Sequence, residues 1–477
     1  MVQKKYSFLL GFPVFVLLII FFLSALDGSA QKIFFTTGFK VTELTEKSVI
    51  IWTRLCSQAK PNPIVHARKE SVFRHPLDFD ENMPIDKMDG GVKGAKGLVR
   101  ITLMQDNHHI KSDWHLVSEK EDYTAKVAFN NLKSDKCYEI LLEAKASDTG
   151  TVSTAKGSFC TAPSKNSILP VSLTSSTCQY FWSFDDEQRG FKTYDNMNKL
   201  NPDFFIQTGD YVYYDKPGPL ATTIAKARHK WHAMDSRPSL VDFYKKTPAY
   251  LLKDDHDILS DDAAPSSPPY GDLKFNDGLA IWHENVPLRD KPYRTFRWGK
   301  DLQIWLIEGR EFRSDTTRNE EGDKTIWGAE QKKWFKKTIS ESNATFKLIF
   351  SPTPIVGPDR EAKSDNHANK TFKQEGDWIR KLISDINNSF VVSGDRHWQY
   401  VSKDTGTGLI EFGSGPVSDY HAQGWDPKDK RPQHKFLRVK GGFIGIKVDR
   451  QNGKPFIQFT HNDVDGNKVN EEKFFAK

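Results

Sequence analysis

Near residue 163 the hydrophobic pattern of the chain changes period, and that change constrains the fold more than any other feature. Before it, residues 48–55, 97–103, 126–129 and 137–143 alternate apolar and polar side chains between turn signals. Alternation of this kind, with no helical period, predicts a half-buried antiparallel β-sandwich of immunoglobulin or fibronectin type. Residues 69–96, rich in Pro, Asp, Gly and Lys, read as an elaborated loop, and 162–167 as a linker. Beyond the linker, apolar runs at 169–173, 204–207, 250–252, 302–307, 346–350, 390–392 and 409–412 alternate with helical segments, the pattern of an α/β domain. The tail carries Gln451-Asn452-Gly453 between apolar runs and predicts a closing hairpin of that domain. A chain of 477 residues suits two unequal domains, here 31–163 and 164–477.

Residues 1–30 are set apart. Lys4 and Lys5 precede an apolar run from Phe8 to Leu26, followed by Asp27-Gly28-Ser29-Ala30, the order of regions in a signal peptide. The run exceeds the usual ~7–15 residues, so a cleaved signal and a membrane anchor both stay open. No later segment approaches the ~18 consecutive apolar residues of a membrane span. The expected location is therefore exported: periplasmic, secreted or at the cell surface. In an oxidising compartment Cys137 and Cys160, which open and close a terminal strand pair, are the favoured disulfide, with Cys56 the third candidate. A net charge of +6 with both signs interspersed argues against a nucleic-acid-binding block. The sequons at Asn343, Asn369 and Asn387 matter only in a host that glycosylates exported proteins.

Four clusters of metal-capable residues each follow an apolar strand. They are Ser175-Ser176-Thr177-Cys178-Gln179, Thr208-Gly209-Asp210-Tyr211-Val212-Tyr213-Tyr214-Asp215, Lys253-Asp254-Asp255-His256-Asp257 and Ser393-Gly394-Asp395-Arg396-His397-Trp398. In α/β architectures, ligand sites form at the C-terminal ends of strands. Like charges packed as densely as in 254–257 are costly unless a cation offsets them. Asp395 and His397, two apart, can address one centre. Thiolate, phenolate and imidazole beside carboxylates are ligand chemistry for a site that includes a transition metal, and the carboxylates suit Ca²⁺ or Mg²⁺. A Ser or Cys catalytic triad is disfavoured because no Gly-x-Ser-x-Gly elbow is present.

The order and spacing of these clusters resemble the motif series of calcineurin-like metallophosphoesterases, in the version found in PhoD-type alkaline phosphatases. Trp52-Thr53-Arg54-Leu55, the segment from Ile307 to Arg313, and Gly328-Ala329-Glu330-Gln331 are similar to further family segments. The resemblance implies an αββα metallophosphoesterase domain after the sandwich, holding Fe³⁺ and Ca²⁺ and hydrolysing phosphate mono- or diesters by a metal-bound hydroxide. It implies that Cys178, Tyr213 and His397 hold iron, that Asp210 bridges, and that Asp255 and Asp395 lie on the calcium side. His256 is the implied general acid or phosphate contact, and Arg310 the phosphoryl clamp. Departures from the family pattern are Lys253 where Trp is usual, Ser260-Asp261-Asp262 where Asn residues are usual, Glu308-Gly309-Arg310 for Asp-Thr-Arg, and the lack of a twin arginine. The rival readings are a phosphodiesterase or phospholipase acting on cell-envelope polymers or lipids and, more distantly, a non-catalytic surface binding protein.

Overall fold

The alternation of side chains along each strand decides which layer it faces. The structure, a computed structural model, describes Met1 and residues 32–315 and 324–477. Beyond Met1, the leader or anchor expected over 1–30 lies outside the described residues. Up to residue 163 the strands are β1 (Phe39–Thr42), β2 (Val49–Arg54), β3 (Gly97–Gln105), β4 (His108–Lys111), β5 (His115–Val117), β6 (Thr124–Phe129), β7 (Cys137–Lys145) and β8 (Ser153–Cys160). There follow β9 (Val171–Ser176), β10 (Phe204–Thr208), β11 (Ala249–Leu252), β12 (Arg294–Trp298), β13 (Leu302–Leu306), β14 (Phe346–Ser351) and β15 (Ser389–Ser393). The last are β16 (Gln399–Lys403), β17 (Ile410–Ser414), β18 (His434–Arg438), β19 (Phe443–Gln451), β20 (Lys454–Asn462) and β21 (Lys468–Phe475).

Two large sheets share one core. The first runs β21-β20-β19-β9-β10-β11-β1-β2-β6 and the second β12-β13-β14-β15-β17-β16-β18. Phe204, Ile206 and Leu252 of the first pack with Leu348, Phe350, Val392 and Phe412 of the second. The opposite face of the first sheet, with Phe205 and Leu251, packs under helices α1 (Lys192–Lys199), α2 (Ile224–Asp235), α3 (Pro238–Tyr244) and α4 (Phe275–Asn285). On the second sheet Trp305, Ile349 and Val391 pack under α5 (Gly328–Ser340) and α6 (Lys373–Ser384). Burial on both faces is why β10 and β14 read as continuous apolar runs rather than alternating ones. The layers are therefore helix, sheet, sheet, helix. Among the described residues no helix is long and apolar enough to cross a membrane.

The segment before residue 163 is divided between sheets. Strands β3, β4, β5, β7 and β8 form a third, antiparallel sheet, and Cys137 and Cys160, registered opposite each other on β7 and β8, are disulfide-bonded. Its Ile101, Leu103, Ile140 and Leu142 pack against Val41, Ile51 and Val127 of β1, β2 and β6. Those three strands also extend the first large sheet, because β1 pairs in parallel with β11 at Thr42 and Ala249. Buried ion pairs reinforce the seam: Lys40 Nζ to Asp235 at 2.6 Å, Arg294 Nε to Glu43 at 2.7 Å, and Asp122 between Arg54 and His232. Residues 31–163 and 164–477 thus share backbone hydrogen bonds across the expected boundary. At the other end of the sheet, Asn452 and Gly453 have φ of 51° and 80° between paired Gln451 and Lys454, a two-residue turn that joins β19 to β20.

Candidate metal centre

Strands β9, β10, β11 and β15 end beside one another, and the loops leaving them carry the four clusters. Cys178, Asp210 and Asp395 all have left-handed φ, of 51°, 59° and 61°. A non-glycine residue held there costs on the order of 1–2 kcal/mol, least for aspartate, so of the three Cys178 is the one whose backbone its surroundings must over-determine. The glycines of the two Gly-Asp pairs have no room for a side chain. A Cβ on Gly209 would lie 2.7 Å from Asp254 Cβ, and one on Gly394 would lie 2.3 Å from the Thr208 carbonyl oxygen.

Asp257 holds the second and third clusters in register. Its fully buried carboxylate accepts the N–H groups of Asp210 (2.8 Å), Val212 (2.9 Å) and Asp254 (3.0 Å). Asp210 Oδ2 in turn accepts from the Tyr213 hydroxyl at 2.9 Å and from Cys178 Sγ at 3.3 Å, and Tyr213 lies 3.3 Å from His397 Nε2. Around Asp210 the ligand atoms fall into three groups, each spanning no more than 4.8 Å: with Cys178 and His397, with Asp255 and His256, and with Asp254 and Asp395. A further group joins Asp255 to Asp261 and Asp262.

Four carboxylate oxygens in this centre are buried and accept no hydrogen bond: Asp210 Oδ1 and Asp254 Oδ2, and also Asp255 Oδ1 and Asp395 Oδ2, which face guanidinium nitrogens at 3.4 and 2.7 Å. Burial pushes Asp210 up to about 6 and drives Asp254 and Asp395 well above the ordinary carboxylate range, despite Arg310 beside the one and Arg396 beside the other. Burial acts on Asp255 too, but Arg310 and His256 outweigh it and hold that group low. Burial, with Asp210 and Asp395, likewise raises the Cys178 thiol. Such a set is expensive as it stands, and cations among these oxygens would remove the penalty. The donors present therefore fit metal ions: sulfur, phenol and imidazole on one side of Asp210, carboxylates on the other.

His256 is oriented by Asp215, whose Oδ1 lies 2.7 Å from its Nδ1, and its Nε2 is 3.8 Å from Asp261. Burial pulls the imidazole down, but Asp215, Asp255 and Asp210 outweigh it and lift it well above its ordinary value. Arg310, the implied phosphoryl clamp, stands at the carboxylate side of the centre. It is 2 % exposed, its Nε is bonded to Asp254, and its Nη2 lies 3.4 Å from both Asp255 and Asp365. Arg396 links the same Asp365 (3.2 Å) to Asp359 and Asp395 (2.7 Å each), so two guanidinium groups set the positions of the carboxylates.

Several participants escape sequence reasoning. Asp254 joins the ligand groups beside the expected Asp255. Lys253 and Glu308, two departures from the family pattern, are partners: both are fully buried, 3.2 Å apart, with Glu311 2.6 Å from the same lysine. His421 lies with its ring 4.3 Å from that of His397, its Nδ1 accepting the Tyr180 N–H. Phe73, from the loop expected over 69–96, brings its ring to 4.6 Å from His421 and 5.8 Å from His397, at φ 52°. No local signal marks either residue, since each acquires its place only through the fold.

Residues 173–463 match the family model described as PhoD-like phosphatase. The chain belongs to this family. As a PhoD-like phosphatase it is a hydrolase of phosphoric ester bonds. Among solved structures, one titled "Structure of PhoD" is similar over 95% of this chain and 92% of its own, at 16% identity and a TM-score of 0.70. The purple acid phosphatase PPD1 from seeds of yellow lupin (Lupinus luteus) is similar over 91% of this chain and 73% of its own, at 9% identity and a TM-score of 0.61. At these identities the likeness is one of fold, and it is the metallophosphoesterase-like fold that the resemblance implies. No curated protein sequence matches the chain.

Proposed function

We propose that this PhoD-like phosphatase is an exported, metal-dependent hydrolase of phosphate mono- or diesters, with Fe³⁺ and Ca²⁺ as its ions. The observation that carries the metal dependence is the convergence on Asp210 of three ligand groups containing four buried carboxylate oxygens that accept no hydrogen bond. Cys178, Tyr213 and His397 would hold iron, Asp210 would bridge, and Asp255 and Asp395, now with Asp254, would hold calcium, a division that follows ligand softness. Bound there, the ions would supply a nucleophile by acidifying a water and would offset the charge of the phosphoryl group.

The chain's own residues supply the rest. Asp215 holds Nδ1 of His256, which leaves Nε2 as the atom to pass a proton to the departing alkoxide. Arg310 and Arg396 are positioning residues that hold the carboxylates in place. The Phe73 ring offers an apolar face to the alcohol part of the ester. Residues 31–163, as a fibronectin-like sandwich, act as an accessory that delivers this ring. The Cys137–Cys160 disulfide supports export to an oxidising compartment.

The test is elemental analysis of the purified protein, with turnover of p-nitrophenyl phosphate and bis-p-nitrophenyl phosphate before and after chelation. Iron and calcium, with activity lost on chelation and restored by Ca²⁺, are the expected result, and the two rates give the ester preference. A folded protein that retains no metal and cleaves neither ester would overturn the reading.

A further inference from the structure

Away from the metal centre, a cleft of about 740 Å³ opens between Phe35, the loop from Ala59 to Ile64 and the α2–α3 turn. Its walls include Phe35, Pro63, Ile64, Phe181 and Val241, and none of its lining residues is a candidate metal ligand. One wall carries a charge. Arg237 is 7 % exposed, and its guanidinium carbon lies 4.0 Å from the ring centroid of Phe181 and 4.1 Å from that of Phe184.

Among the described residues nothing pairs with this cation: its Nε and Nη2 are buried without a hydrogen-bond partner, and no carboxylate lies within 4 Å of it. The acidic residues lining the cleft are committed elsewhere, Glu187 to Arg68 and Asp242 to Arg189 (2.9 Å) and Lys245 (2.6 Å). Two ring faces offset part of the cost of burying a guanidinium, but they leave Nε and Nη2 without acceptors, and Nη1, which is outside that enclosed pair, is the nitrogen an anion in the cleft would meet. An Arg that stabilised the fold by ion pairing would look like Arg310 or Arg396, each engaged by three carboxylates.

We propose that this cleft is a second ligand site, for an organic anion whose carboxylate or phosphate-type head pairs with Arg237 and whose apolar body lies on Phe35, Ile64 and Val241. The volume suits a ligand of that size, and apolar walls with one precisely placed polar group are the usual build of a small-molecule site. Inorganic phosphate alone would satisfy the arginine and leave the walls uncovered. The site does not depend on the metal centre, so neither result at that centre bears on it.

The experiment is calorimetric titration of the full-length protein with octanoate and with octylphosphonate, neither of which is a phosphoric ester, and with octanol as the neutral control. Both anions are expected to bind saturably and to compete, octanol more weakly, and the tighter anion identifies the preferred head group. Arg237→Gln is expected to lower affinity about ten- to hundredfold, the loss of a charge-assisted hydrogen bond, while melting no earlier than the parent. Val241→Trp, which fills the cleft and keeps the arginine, is expected to block binding, and Asp210→Asn to leave it unchanged. Failure of both anions to bind the folded parent, or undiminished binding by Arg237→Gln, would overturn the proposal.

Discussion

Charge is buried in two regions of this molecule, and the two handle it differently. In the seam, opposite charges are matched: Lys40 meets Asp235, Arg294 meets Glu43, and Asp122 lies between Arg54 and His232. In the metal centre Asp210, Asp254, Asp255, Asp257, Asp359, Asp365 and Asp395 face Arg310, Arg396 and His256, and four of their oxygens accept no hydrogen bond. Burial of charge alone therefore does not identify a site. A surplus of one sign, held in place at a cost, does.

The contrast breaks most sharply at Asp210. Asp210→Asn is expected to lower kcat/KM by about 10⁴-fold or more, roughly 5 kcal/mol, in a phosphate-ester assay. The same substitution relieves like-charge crowding, so urea unfolding in chelator should show stability unchanged or raised. Asp122→Ala tests the other side. It strands the buried Arg54, so unfolding free energy should fall by about 3–5 kcal/mol while kcat/KM of the folded fraction stays within a few-fold of the parent.

A smaller, pH-dependent effect sharpens the rule for matched charge. Burial raises Glu375, but His367 at 2.9 Å, Thr325 and the Ile326 N–H outweigh it and hold the carboxyl at about 2, below its ordinary 4.5. A depressed carboxylate contributes stability that is complete above the unfolded value and is lost as pH falls through the folded one. Between about pH 4.5 and 2 that contribution, on the order of 2–3 kcal/mol, should disappear. Glu375→Gln should flatten the stability slope across that interval in urea titrations.

How far this was legible in the sequence follows the range of each signal. Asp210, the run 254–257 and Asp395 stood out because each sits a residue or two past an apolar strand, a local pattern. Asp359 and Asp365 did not, because their partners Arg396 and Arg310 are distant in the chain and nothing nearby distinguishes them from surface acids, and Asp215 lay in the second cluster without its link to the distant His256 being visible. Arg310 was visible as a residue, but its carboxylate partners were not, since a guanidinium that fits phosphate equally fits carboxylate. Lys253 and Glu308 looked like two separate departures until their side chains met. The strands of the sandwich were legible from alternation, but the pairing of β1 with β11 was not, because it rests on a single registered pair.

That pairing also bears on how the protein is made. Thr42 and Ala249 are roughly two hundred residues apart, so β1 and β2 are synthesised long before the strand beside which they finish. A nascent chain must keep that edge from other partners until β11 arrives, and long-range closure of this kind slows folding. A protein released from residue 164 onward would begin life with β11 as an open, apolar edge, the kind of surface on which chains aggregate.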